Sequence, residues 1–148
     1  MADKPVKPIP DGYHSITPYL NAQGADRLIA FLKAAFAAKE RGRNLDDQGR
    51  IMHAEVQIGD SIIMLSEASE RFPARETALY LYVNDADAVY RAALQAGGTS
   101  IMEPATHFYG DRSGGIKDPA GNQWWIATHL EDVSEEEMAR RMRSQNKT

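Results

Sequence analysis

The sequence predicts an α+β fold built from two copies of one β-α-β-β-β module. Three observations carry this. Amphipathic helical stretches of similar length follow a short strand in each half. Each helix is followed by alternating apolar segments punctuated by glycine turns. The second half, slid back by about sixty residues, matches the first in element order, as an internal repeat should. "PYLNAQGAD" then lies over "LYLYVNDAD", and "QIGDSIIML" over "AGNQWWIA".

Pro5, Pro8 and Pro10 fix φ and remove donors, so residues 1–12 read as an extended tail. "SITPYL" reads as a short strand. In "ADRLIAFLKAAFAAK", Leu28, Phe31, Leu32, Ala35 and Phe36 recur on one helical face, and Gly42 follows the helix. Three strands come next: Arg43–Leu45, Arg50–Ile58 and Ser61–Ser66, with turns at "DDQG" and Gly59-Asp60. "EASERFPARE" is charged, is broken by Pro73 and reads as a linker. The cycle then repeats. "ALYLYV" is a strand, and a helix begins at Asp85 as N-cap and ends at Gly97-Gly98. "TSIME" is a strand, and "SGGIKDPAGNQWWIATH" is strand, turn and strand. Ser134 can cap a last helix over 135–143, with Glu137 completing a capping box and Val133 and Met138 a hydrophobic staple. Residues 13–133 are thus expected as one domain of two repeats, about 13–67 and 77–133, followed by a helix and tail over 134–148.

With 148 residues, 43% of them hydrophobic, the chain can bury a real core. The net charge of −4 and the absence of a basic stripe argue against a nucleic-acid partner. The arginines near the C-terminus are explained by helix electrostatics. With no cysteine there is neither a disulfide nor a thiolate metal site, which suits a cytoplasmic location. No apolar run approaches the roughly 20 residues that cross a bilayer. Phosphate-binding glycine loops and the nucleophile elbow are also missing.

The repeat, the "TPYL" opening, "HAEVQIGDSIIMLSE" and "YGDRSGGIKDPAGNQWWIATH" together resemble the vicinal oxygen chelate superfamily, which includes glyoxalases, bleomycin-resistance proteins and extradiol dioxygenases. The PhnB-like branch is the most similar within it. The resemblance spans residues 13–133. It implies a curved mixed sheet around a concave cavity with the helices outside, and a homodimer.

Strand alternation sorts the side chains. Met52, Ala54, Val56 and Ile58 are expected under a helix, with His53, Glu55 and Gln57 on the cavity side. Leu79, Leu81 and Val83 likewise oppose Ala78, Tyr80 and Tyr82. Trp124 is expected in the core and Trp125 as a cavity wall. The resemblance places metal ligands at Thr17, at Ile63 or Met64, at Ala78 and at Trp125. These offer one hydroxyl and otherwise apolar or aromatic groups, so no metal and no other cofactor is expected. His53 and Glu55, about 7 Å apart on one face, are the candidate catalytic acid/base pair or an unusual metal half-site. An aromatic wall would raise Glu55 by desolvation, and the histidine would counter that. Thr17, Tyr19, Gln57, Tyr80, Tyr82 and Trp125 are candidate ligand contacts. Arg112, in the flexible stretch 108–115, either holds an anionic group or pairs with Asp111. His14, His107 and His129 read as ordinary surface or capping residues. The expected function is metal-free binding of a small aromatic or cationic molecule. The alternative is a lyase, isomerase or oxygenase that uses His53 and Glu55.

Overall fold

A computed structural model describes residues 5–145. The chain runs β1 (Tyr19–Ala22), α1 (Ala25–Phe36), β2 (Lys39–Leu45), β3 (Ile51–Ile58), β4 (Ser61–Glu67), β5 (Ala78–Tyr82), α2 (Ala86–Gln95), β6 (Thr99–Thr106), β7 (Asp111–Lys117), β8 (Gln123–His129) and α3 (Glu135–Gln145). It divides between Arg75 and Glu76 into two compact units. Each unit holds one four-stranded mixed sheet, ordered β1-β4-β3-β2 in the first and β5-β8-β7-β6 in the second. The parallel pair is β1 with β4 in one and β5 with β8 in the other. The repeat read in the sequence is therefore a repeat of topology.

In unit 1, α1 covers one sheet face and buries Leu28, Ile29, Phe31 and Leu32 against Ala54, Val56, Ile63 and Leu65. No side chain of its own caps the helix start. The Glu67 carboxylate, at the end of β4, accepts from Gly24 N–H and Ala25 N–H instead (2.8–3.1 Å). In unit 2 the Asp85 carboxylate accepts from Ala88 N–H, as expected, and the Thr128 hydroxyl at the end of β8 accepts from Ala86 N–H. A residue closing the last strand thus anchors each helix start. Gly42 does not end α1: the helix stops at Phe36 with Ala37 left-handed (φ 55°), and Gly42 lies inside β2 at a register shift.

Trp124 is 2% exposed and its indole N–H donates to Asp118 Oδ2 (2.8 Å). Asp118 also accepts from Ala120 N–H, Asn122 N–H and the Asn122 amide. One buried carboxylate thus organises the "DPAGN" turn and ties it to the core tryptophan.

Two expectations are corrected by register. Asn44 pairs with His53 and Leu45 with Ile51, which skips Met52. This bulge turns Met52 out, 62% exposed, and leaves Ile51 buried. The stretch 67–76 is also no free linker. Ala68 N–H donates to Ala22 O and Arg75 N–H to Asn21 O, with a Ser69–Phe72 turn between. The α3 helix starts at the expected Ser134 cap, whose hydroxyl accepts from Glu137 N–H. The Glu137 carboxylate does not close a capping box; it binds Arg140 and Arg141, which hold it down to about 2. Residues 1–4 and 146–148 of the expected tails lie outside the described residues.

Candidate functional site

The sheet face opposite each helix carries the candidate residues. In unit 1, β1 presents Tyr19 and Asn21, β3 presents His53 and Glu55, and β4 presents Met64 and Ser66; Tyr19, Met64 and Glu55 lie in one cross-strand row. Tyr19 OH meets His53 Nδ1 (3.1 Å), and His53 Nε2 meets Glu55 Oε2 (2.8 Å). The other Glu55 oxygen accepts from the phenol of Tyr13. A neutral imidazole satisfies both of its contacts when Nε2 donates to the carboxylate and Nδ1 accepts from Tyr19. The hydrogen bond from Tyr13, and next that from His53, keep Glu55 below the ordinary carboxylate value. Glu55 is therefore not raised as an aromatic wall would have it, because donors outweigh desolvation. The Tyr13 phenol is raised in turn, first by that bond.

Beside this chain lies a hollow of about 450 Å³ lined by Tyr19, Asn21, Met52, Ser66 and Phe72. Tyr19, Met52 and Phe72 are 47%, 62% and 54% exposed. Ser66 hydroxyl donates to Asn21 Oδ1 (2.7 Å), so the two polar lining groups partly satisfy each other. A second hollow, about 470 Å³, includes Tyr13, Thr17, Glu55 and Met64 in its lining. The Gln57 oxygen accepts from Arg41 and its amide donates to Gly59 O.

In unit 2 the corresponding face carries Tyr80 and Tyr82 on β5, Trp125, Ala127 and His129 on β8, and Asp111, Ser113 and Gly115 on β7. Both tyrosine hydroxyls donate to Asp111 Oδ2 (2.8 and 3.0 Å). His129 Nδ1 meets Asp111 Oδ1 (2.8 Å) and its Nε2 meets Asp132 (2.7 Å). Burial would raise Asp111, but the bonds from His129, Tyr80 and Tyr82 outweigh it and its carboxyl lies below the ordinary value. His129 is raised, first by Asp111 and then by Asp132. Burial, and then Asp111, push Tyr80 up. The Trp125 ring lies over Gly115, where a Cβ would come within 2.6 Å of it.

Arg112 is not part of this face. Strand alternation points it the other way, and its guanidinium binds both oxygens of Asp87 on α2 (2.8 and 3.0 Å). Neither anion capture nor the Asp111 pair describes it. His129 is likewise more than a capping histidine, because it bridges two carboxylates. The sequence reading missed Asp111 and Tyr13. The stretch 108–115 is not a flexible loop: β7 begins at Asp111, which pairs with His129, and its i+2 spacing to Ser113 and Gly115 puts it on their face. Tyr13 was hidden by its place next to the proline-rich tail.

The family model described as Glyoxalase/Bleomycin resistance protein/Dioxygenase superfamily matches residues 13–126. The chain belongs to that superfamily. Its fold is similar to TioX from Micromonospora sp. ML1, with a TM-score of 0.68 at 21% identity, covering 78% of this chain and 98% of that one. It is also similar to a PhnB protein from Bacillus cereus described as a putative 3-demethylubiquinone-9 3-methyltransferase, with a TM-score of 0.63 at 19% identity, covering 78% and 99%. In sequence it is 28% identical over 142 residues to protein Rv0887c of Mycobacterium tuberculosis strain H37Rv, covering 88% of this chain and 84% of that protein. The resemblance read from the motifs is thus confirmed at the level of superfamily and fold.

The metal-ligand positions that the resemblance implies can now be tested against this member of the superfamily. Met64, not Ile63, shares the Tyr19 and Glu55 face, since Ile63 is buried under α1. Thr17 and Met64 in unit 1 supply a hydroxyl and a thioether, and Ala78 and Trp125 in unit 2 a methyl and an indole; neither pair offers donors for a hard or borderline cation. A metal does not fit there as relatives of that pattern would hold it. Among the described residues, no group of three or more His, Asp or Glu side chains is gathered for a metal elsewhere. No helix among them is long and apolar enough to cross a membrane.

Proposed function

We propose that the chain binds a small aromatic or cationic molecule on the open face of its sheets, with no metal at the family's ligand positions. The hollow at Tyr19, Met52 and Phe72 carries this reading. Three large apolar side chains stay exposed around a concavity of about 450 Å³, a size that suits one small molecule. No charged side chain lines it, so apolar contact and ring faces supply the attraction. Titrating the protein with benzyltrimethylammonium and with its uncharged isostere neopentylbenzene, followed by NMR shifts, tests this directly. Both are expected to bind, and Met52→Ala or Phe72→Ala to weaken each by about 10-fold, the equivalent of losing part of one buried side chain's contact. Absence of binding by either probe at millimolar concentration refutes the reading.

A lyase, isomerase or oxygenase is the second reading, favoured by the hydrogen-bonded chain from Tyr19 through His53 to Glu55. The proposal also includes a homodimer, as the family resemblance implies, and a cytoplasmic location, which the absence of cysteine suits; light scattering after size exclusion measures the mass.

A further inference from the structure

We propose that His129 is a pH-operated latch: as imidazolium it clasps Asp132 and holds the segment that carries α3 at the end of the second sheet, and as neutral imidazole it lets that segment go. The inference lies wholly within unit 2 and is independent of ligand binding in unit 1.

The hydrogen bonds assign the charge. His129 Nδ1 lies 2.8 Å from Asp111 Oδ1, and Nε2 lies 2.7 Å from Asp132 Oδ1. An ionised carboxylate only accepts, so both ring nitrogens must carry a proton, and only imidazolium does. Neutral imidazole has one N–H, so deprotonation removes one of the two bonds. Burial decides which. Asp111 is buried, and losing its donor would strand a carboxylate oxygen away from water. Asp132 is fully exposed, and water replaces its donor. The remaining proton therefore stays on Nδ1, and the bond to Asp132 breaks.

The charged surroundings agree. On β7, Asp111 faces the imidazole, while Arg112 is turned to Asp87 of α2 on the opposite face. On β5, Tyr80 and Tyr82 donate to Asp111 Oδ2, with Tyr109 near them. After β8 come Glu131 and Asp132, and Glu131 is engaged by Arg141 of α3. Asp111 first, and then Asp132, hold His129 above the ordinary imidazole value. The latch is thus shut below that ordinary value and opens as pH rises through the higher folded one.

What the latch holds is lightly attached. No residue of α3 is buried. Leu130 N–H and Glu131 N–H both donate to Gly110 O (2.8 and 3.2 Å). Gly110 is left-handed (φ 100°), and a Cβ there would collide with Glu131 O, so glycine alone lets the segment pass this close. Arg141 reaches back to Phe108 O (2.8 Å) and Glu131 (2.6 Å). Asp132 lies between these anchors and the Ser134 cap. Exposed polar contacts each contribute little, so the loss of one tips the balance between docked and free α3.

The test reads the ¹³Cα shifts of residues 135–143 by ¹³C-detected NMR, with the His129 ring titrated in the same samples. A helix as short as α3 is marginal once undocked. Between about pH 5.5 and about pH 8.5, which span the imidazole range, the wild-type shifts are expected to lose about half or more of their helical displacement, with the midpoint on the His129 titration. His129→Gln, whose one side-chain nitrogen cannot serve both carboxylates, is expected to show the frayed shifts at both pH values. Asp132→Asn alters only an exposed side chain; it should remove the pH response of α3 and lower the His129 midpoint, which a histidine with no part in that contact would not show. Equal helical shifts at both pH values, a midpoint away from the His129 titration, or an unchanged pH response in Asp132→Asn overturns the latch.

Discussion

The two units share one topology and treat their open faces in opposite ways. Tyr19 and Tyr80 hold the same place, opposite Met64 and Trp125 on the parallel strand. From there the chemistry diverges. In unit 1 the middle of β3 carries His53 and Glu55, and the face beside them stays hollow. In unit 2 the equivalent stretch of β7 carries Ser113 and Gly115, small enough for Trp125 to lie flat on the strand. Small Ala127 lets Tyr80 and Tyr82 reach Asp111 at the strand's end. Asp111 is 5% exposed and takes three side-chain donors, whereas Glu55 takes two and stays half-buried. A fully satisfied, buried carboxylate stabilises its surroundings; one at the edge of a hollow remains available to a ligand. The difference teaches that duplicated modules can split the work, one face serving stability and the other chemistry.

The sharpest break of this comparison lies in the turns. Asp118→Ala removes the acceptor of four donors, three of them on buried Asn122 and Trp124, and is expected to cost about 3–5 kcal/mol in urea unfolding. In the unit 1 turn between β3 and β4 the carboxylate, Asp60, is exposed, and Asp60→Ala is expected within about 0.5 kcal/mol of wild type. Next come the carboxylates of the open faces. Asp111→Asn should cost about 2–3 kcal/mol, because His129 and a tyrosine lose a charged acceptor. Glu55→Gln should cost under about 1 kcal/mol. Equal losses would erase the proposed division of labour.

Smaller effects sharpen it further. The helix ends differ: α2 closes on Gly97 (φ 112°), whereas α1 closes on Ala37 (φ 55°). Ala37→Gly relieves the left-handed alanine and should stabilise the protein by about 0.5–1 kcal/mol. The pH dependence of Tm is expected to follow unit 2. His129 is raised in the fold, so its contribution is complete below the ordinary imidazole value and fades as pH rises through its higher folded value. Asp111 is lowered, so its contribution is present above the ordinary carboxylate value and is lost as pH falls through its lower folded one. His129→Gln should flatten the alkaline side of this plateau and leave binding in the unit 1 hollow unchanged.

Much of this was legible in the residues. The apolar periodicity of Leu28, Phe31 and Leu32 fixed α1, and Asp85 marked the start of α2. The two faces of "QWWIATH" separated Trp124 from Trp125 correctly, because a strand has only two sides. His53 and Glu55 stood out for the same reason. Met52 did not, since one bulge reverses parity and nothing local announces it. Phe72 lay in a charged stretch that looked like a linker, and it joined the hollow only because backbone bonds to Ala22 and Asn21 bring that stretch back onto the sheet.

The order of elements, the repeat and the side of each regular strand come from local pattern alone, because periodicity and turn chemistry act over a few residues. The partners of Glu55, Asp111, Arg112 and His129 were decided only by the folded sheet. Each pairing joins residues from different elements or a residue to its cross-strand neighbour, and strand register and bulges, set by long-range packing, determine which side chains come within hydrogen-bonding distance.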